Sequence, residues 1–431
     1  TQRYRIFIKK GNYVLEGNNT SNQKVCKVDD KEYAKFADPT TYLNTPNVSI
    51  IGEDMTETII TNKLPDQYKP DGGNIAEGIG QGDVLCLQSG ATNTYMQNFT
   101  IKSAMGDAKG RDIELNDQSN KTVCKDMCLW GYQDTYVSNS DRSRFYFEGG
   151  LLRGNTDYLC GKGDVFYNNV NLQMCGTGYL AVPSKPTKYG YIFKDCTIKA
   201  EKSGIDGNYT LGRPWGSGTP VALFIDTKME AQPSAIGWNE MGDGWPARFA
   251  EYNSMTSKGT VIDLSGRKKT FGDGHANNPV LTKEEAAQYT LATVMGSTDN
   301  WDPTALTEQA SAPQNVLISE GKMTWDDSQY VLLWAVCKDG KVVDFTTENH
   351  YDNADSTGKW SVRAANEMGG LSEIAEAGTA SAIKEVNQTM DVVATAYYTL
   401  DGTRVNANYT GTVIKVMTMT DGTVKTVKVN R

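Results

Sequence analysis

Asp134 and Asp157 stand 23 residues apart, and the same step separates Asp126 from Gly149, eight residues earlier in each case. If the step is one turn of a repeating fold, both aspartates project from adjacent turns at nearly the same lateral position, on strands about 4.8 Å apart. Two carboxylates stacked that closely cannot both ionise without cost, so their pKa values separate and leave one acid and one anion. Such a pair suits acid/base or nucleophilic hydrolysis. Histidine chemistry is the poorer expectation, because the 431 residues include only His275 and His350, too few for a His-based nucleophile system or an imidazole-rich zinc site.

The elements that must hold the aspartates are legible as a repeat. An Asn, Asp or Gly recurs with an apolar side chain two residues before it and three after: Met96/Asn98/Ile101, Cys124/Asp126/Leu129, Phe147/Gly149/Leu152, Tyr167/Asn169/Leu172, Phe193/Asp195/Ile198 and Phe224/Asp226/Met229. The central positions advance by 28, 23, 20, 26 and 31 residues. No amphipathic helical stripe intervenes, and the local composition is β-branched, aromatic and Gly/Asn-rich. A parallel β-solenoid fits, with each coil adding a rung and the central residue marking its turn. Six strands of a β-sandwich are the competing reading, though sandwiches seldom keep so even a one-sided step.

Composition narrows the function classes. The net charge of −9 is concentrated in residues 301–400, which carry 6 basic against 15 acidic residues, and no basic stripe of a nucleic-acid binder is present. No apolar run approaches the roughly 18 residues of a membrane span. Eight cysteines permit disulfides, with Cys175 to Cys196 the first pairing to test, but a chain this long does not need that framework. Most of the thiols are expected as buried small hydrophobes.

Three ordered segments resemble carbohydrate esterase family 8, the pectin methylesterases: Gly131-Tyr132-Gln133-Asp134-Thr135, Gly154-Asn155-Thr156-Asp157-Tyr158-Leu159-Cys160-Gly161 and Leu211-Gly212-Arg213-Pro214-Trp215. The resemblance covers approximately residues 1–270 and implies an all-β protein built on a right-handed parallel β-helix. It implies Asp157 as the nucleophile on a galacturonate methyl ester, and Asp134 as the acid that protonates methanol and then the base for water. Arg213 suits a two-bond clamp on Asp157, and Gln133 suits donation to the developing oxyanion. Trp215 offers a face to a sugar ring; Tyr132, Tyr136 and Tyr158 are further candidates by position, with ordinary core or rung packing the competing reading for each tyrosine. No metal or cofactor is implied. The expected partner is methyl-esterified pectin, and the expected form is a monomer.

Departures accompany the matches. The family's second oxyanion glutamine, in a H-Q-A-V-A-L stretch, falls on Arg111, which is equally suited to an oxyanion, to Asp112 or Glu114, or to a substrate carboxylate. Cys160 replaces a groove phenylalanine. The family's first turn has no counterpart before Gly11, so the resemblance implies residues ahead of Thr1.

The solenoid is expected over residues 1–300, with a short helix and linker in 271–311 capping its open end. Alternating segments over 312–378, with Trp325 central, resemble a fibronectin type III domain. Residues 388–431, with Asp401-Gly402 and Asp421-Gly422 as hairpin turns, resemble the small C-terminal β-modules of secreted Bacteroidetes proteins. The fold expected is therefore a β-helix followed by a β-sandwich and a small β-module, in a secreted, periplasmic or cell-surface bacterial protein. Two other functions compete: a pectin-binding solenoid without turnover, and a polygalacturonase-like glycosidase, since paired carboxylates also cleave glycosides.

Overall fold

A computed structural model describes residues 3–19, 21–28, 31–63, 83–107, 111, 113–306, 310–327, 331–366, 371–379, 392–406, 408–419 and 423–430. Two compact units emerge, the first comprising essentially residues 1–311 and the second most of 312–431.

The first unit is a parallel β-helix. One sheet runs through nine strands, from Tyr4–Ile8 to Arg248–Tyr252, every pairing parallel. A second, larger sheet contains two ribbons of short strands that fuse where Leu151–Gly161 and Asn171–Pro183 run uninterrupted. In the coil before them the ribbons are still separate strands, Cys128–Trp130 and Tyr136–Ser138, joined by residues 131–135. The two proposed catalytic aspartates therefore flank the place where a corner of the solenoid is straightened.

The sequence repeat is the rung register. Met96, Cys124, Phe147, Tyr167, Phe193 and Phe224 pair in one unbroken row, and Ile101, Leu129, Leu152, Leu172, Ile198 and Met229 in another. All six markers between the rows take positive φ, from 47° at Asp126 to 63° at Asn98 and Gly149. Only Gly, Asn and Asp reach this left-handed turn cheaply, which is why those three types recur. A seventh marker, Asn253 at φ 51°, escapes the pattern because its flanking positions are Glu251 and Thr256 instead of apolar residues.

Inside the coils the aromatic row stacks: Tyr167 on Phe193 at 4.5 Å and 3°, and Phe193 on Phe224 at 4.3 Å and 6°. The next residue in that row is Glu251, wholly buried and paired with Arg267, whose Nε lies 2.6 Å from its Oε1. Trp238 covers Phe224 and Phe249 at the same end.

The outward row of the first sheet, Tyr146, Phe166, Ile192, Leu223 and Ala250, is buried as well, so its strands read as continuous apolar runs. The expected cap divides: Phe271 lies edge-on to Phe249 and Val280 bridges to Glu251 at the last coil, whereas the helix that follows turns back along this row. The helix Leu291–Met295 packs on Asp164–Asn168 and Arg144–Glu148, midway along the solenoid. Arg144 donates to the Met295 carbonyl and to Asp299 Oδ1, and Lys121 Nζ lies 2.6 Å from Asp299 Oδ2. The segment lies along the sheet because that apolar outer row needs cover.

Among the described residues the thiols are buried and free, as expected for most of them: Cys86, Cys124, Cys128, Cys160, Cys175, Cys196 and Cys337, and the candidate Cys175–Cys196 pairing is not formed. Register explains it. Asn171 pairs with Thr197 and Met174 with Ala200, so Cys175 lies about five residues along the strand from the position abreast of Cys196. At about 3.3 Å per residue this is some 16 Å, beyond disulfide reach.

Asp117 supplies a stability prediction. It is fully buried, its Oδ1 accepts from the Ser119 N–H and Oγ–H, and burial pushes its carboxyl up to about 6. A folded pKa above the unfolded one means the protonated form favours folding. That stability is full below about pH 4 and is lost as pH rises through about 6. Asp117→Asn should therefore gain roughly 3 kcal/mol at pH 8 relative to its effect at pH 4, read from urea midpoints; a pH-independent effect would contradict the assignment.

The second unit contains four-stranded sheets. One orders His350–Tyr351, Lys322–Thr324, Leu317–Ser319 and Gly378–Thr379; another orders Lys341–Thr346, Val331–Lys338, Trp360–Asn366 and Ala375–Glu376. Trp325 is buried edge-on against Trp334 at 5.8 Å. A third sheet, with Val392–Tyr398 and Thr412–Met419 at its centre, is antiparallel, and Asp401-Gly402 turns one of its hairpins. Asp421-Gly422 and the expected module boundary at 388 lie outside the described residues.

Candidate active site

Asp134 and Asp157 lie in register. Tyr136 pairs with Leu159, and Gln133 bridges to Thr156, so each aspartate faces the other across one rung. Both hold left-handed backbone, φ 60° and 53°, a conformation Asp tolerates better than most residues. At Asp157 it breaks the ladder with Asn171–Pro183, whose register shifts between Gly154 and Leu159. This local bulge turns the carboxylate outward from a strand that otherwise continues.

The two carboxylates have different partners. Arg213 donates from Nε to Asp157 Oδ1 at 2.9 Å and from Nη2 to Oδ2 at 2.6 Å. Its guanidinium also lies over the Tyr179 ring at 3.9 Å. Backbone bonds place it there: the Arg213 and Trp215 N–H groups donate to the Ala181 and Pro183 carbonyls of the neighbouring long strand. Gly212 permits this approach, since a Cβ there would stand 2.0 Å from the Ala181 oxygen.

Asp134 is met by Arg111, Nε to Oδ2 at 3.1 Å. Burial pushes the Asp134 carboxyl up to about 6; the Arg111 charge opposes this, Asp157 adds to it, and the Cys160 thiol and Arg213 lower it. Arg111 thus meets an acid of the following coil, 23 positions on in the chain; Asp112 lies outside the described residues.

A cleft of about 440 Å³ collects Arg111, Gln133, Asp134, Asp157 and Trp215. Its floor is the outward row Val137, Cys160 and Val182, joined by Ile113 and Met241. Toward the N-terminal coils the same row continues as Asn116, Cys86 and Tyr42, beside Asp83. Trp215 is 44% exposed at the cleft, an open ring face of the kind a sugar stacks on.

Two expected contact residues are elsewhere. Tyr158 is entirely buried in the solenoid core, because it follows the outward-turned Asp157 and points to the coil interior. Tyr132 lines a separate depression with Asp107, Asn155 and Cys175, since its extended-chain neighbour Gln133 takes the cleft side. Sequence reading missed Tyr179 and Met241. The 23-residue step carried once more past Thr156 lands on Tyr179, with which Thr156 pairs; Met241 has no comparable signal.

Comparison with known proteins bears on the family and the fold. A model of the pectinesterase family matches residues 15–298. A putative pectinesterase/pectinesterase inhibitor 26 of Arabidopsis thaliana is 24% identical over 60% of this chain and 26% of its own length. A probable pectinesterase A of Aspergillus flavus is 30% identical over 47% of this chain and 63% of its own. The chain thus spans less than two thirds of the length of each of these relatives. Among solved structures, a pectin methylesterase from Yersinia enterocolitica superposes with TM-score 0.52 at 22% identity, covering 69% of this chain and 95% of that one. That likeness establishes a shared parallel β-helix. With the family model spanning nearly the whole solenoid, the chain belongs to the pectinesterase family.

Proposed function

We propose that the protein hydrolyses the methyl esters of galacturonate units in pectin and releases methanol. The observation that carries this reading is the in-register Asp134/Asp157 pair, one member clamped by Arg213 and the other pushed toward its protonated form. A carboxylate held by two charge-assisted bonds is fixed in direction, with its oxygens aimed by the guanidinium. Asp157 then attacks the ester carbonyl and Gln133 donates its amide N–H to the oxyanion. Asp134, protonated, gives its proton to the departing methoxide. Left as a carboxylate, it takes a proton from the water that cleaves the acyl-enzyme and frees Asp157. Trp215 carries a sugar ring at the cleft. In this scheme the work of an imidazole is divided between two carboxyls.

In the same reading, residues 312–378 are a fibronectin type III-like spacer and 388–431 a small C-terminal module of the Bacteroidetes type. The protein acts as a monomer outside the cytoplasm, where its polysaccharide is found.

The pH dependence follows from Asp134. The first step needs its proton, so kcat/KM for methanol release should fall about tenfold per pH unit above about 6. A profile flat to pH 8 would contradict the assigned acid. The reading itself is tested by incubating the protein with highly methyl-esterified pectin and with the same pectin after saponification. Methanol should come from the first alone, and none from either would end the proposal.

A further inference from the structure

The cleft poses an electrostatic difficulty for a polyuronate. Its described lining carries three carboxylates, Asp83, Asp134 and Asp157, against one cation, Arg111. Arg213 is already committed to both oxygens of Asp157. A chain of galacturonates with some free carboxylates would enter a field of its own sign unless that cation met it. Arg111 is suited to do so. Its side chain is 57% exposed, its Nε lies 3.1 Å from Asp134 Oδ2, and Asp134 beneath it is only 14% exposed. An ion pair whose cation is more than half exposed is weak and readily exchanged.

We propose that Arg111 is an exchangeable partner: it sits on Asp134 in the free protein and passes to an unesterified uronate carboxylate when the polysaccharide binds, so that binding drives a proton onto Asp134. Among the described residues, the charged and titratable groups that act most on Asp134 are Arg111, Asp157, the Cys160 thiol and Arg213. Taking away Arg111 removes the larger of the two cationic influences and leaves burial and Asp157, both of which favour the neutral acid. The acid needed for methanol departure is thereby loaded by the substrate. A stretch of pectin bearing a free carboxylate beside the ester is the preferred substrate.

The inference rests on the pectin reading and deepens it. It is tested by calorimetric titration of unesterified oligogalacturonate into the protein at pH 7, in two buffers of different ionisation enthalpy. The wild type should take up roughly half a proton or more per bound chain. Asp134→Asn should bind without uptake. Arg111→Gln should bind about tenfold more weakly with uptake largely lost, and Arg111→Lys should retain part of both. In methanol release, Arg111→Gln should move the alkaline limb of kcat/KM upward by a substantial fraction of a pH unit and leave that of kcat in place. The free protein would feel the loss, whereas in the complex Arg111 has already left.

Binding with buffer-independent heat, or equal uptake in Arg111→Gln, would overturn the exchange. Methanol release from esterified pectin without any oligogalacturonate binding would overturn it while leaving the esterase intact. Absence of both binding and methanol would remove the esterase reading beneath it.

Discussion

Asp157→Asn is expected to lower methanol release at least about 10⁴-fold while leaving the fold unchanged. Asparagine is the informative replacement. Residue 157 sits at φ 53°, where Asn is tolerated and Ala is strained by about 1–2 kcal/mol. The amide oxygen still accepts from Arg213, which donates to both carboxylate oxygens in the wild type, so that guanidinium keeps a partner. What is lost is the anionic nucleophile. Residual turnover would come from Gln133 and from substrate binding. Unchanged thermal unfolding alongside abolished release identifies the loss as chemical; release within tenfold of wild type would mean that Asp157 does not attack the ester.

Arg267→Ala is expected to destabilise the first unit by roughly 3–5 kcal/mol. Its guanidinium is 3% exposed and Glu251 is wholly buried, Nε to Oε1 at 2.6 Å. Arg267 Nη1 also donates to the Ser234 and Ala235 carbonyls. Removing the arginine strands a carboxylate at the end of the Phe193 and Phe224 stack, where water cannot reach it. Joining Glu251→Leu to Arg267→Met should recover about 2 kcal/mol or more of that loss, because an apolar pair can occupy the end of an aromatic row. Urea midpoints of both variants give the comparison. A single-variant cost below about 1 kcal/mol would show that the pair adds little to holding the last coil closed.

The solenoid was readable because its register rests on two local facts that sequence records directly: inward rows are apolar, and turn residues must reach positive φ. Both fail where chemistry or pairing intrudes. The Asn253 coil was hidden because its inward position is Glu251, which satisfies its charge with Arg267, sixteen positions away in the chain. The aspartate pair was legible as a repeated 23-residue step. The bulge that turns Asp157 outward was not, since its signature is a single left-handed residue within a continuous strand. That bulge also decides Tyr158, which adjacency to Asp157 made a contact candidate and the coil interior claims. Arg111 is the opposite case. Its chemistry left several partners open, and only the folded chain selects Asp134. Of the segment expected as a cap, the helix Leu291–Met295 was not legible as cover for the sheet, because an outward row as apolar as Tyr146, Phe166 and Ile192 cannot be told from core until its register is known.

The central claim is that two stacked carboxyls on a β-helix break an ester and not a glycosidic bond. The most direct measurement counts methanol and new reducing ends in one reaction on highly methylated pectin, with Asp157→Asn run beside the wild type. The account predicts methanol accumulating without reducing ends, and neither product from the variant. Reducing ends without methanol, or methanol undiminished in Asp157→Asn, would contradict it.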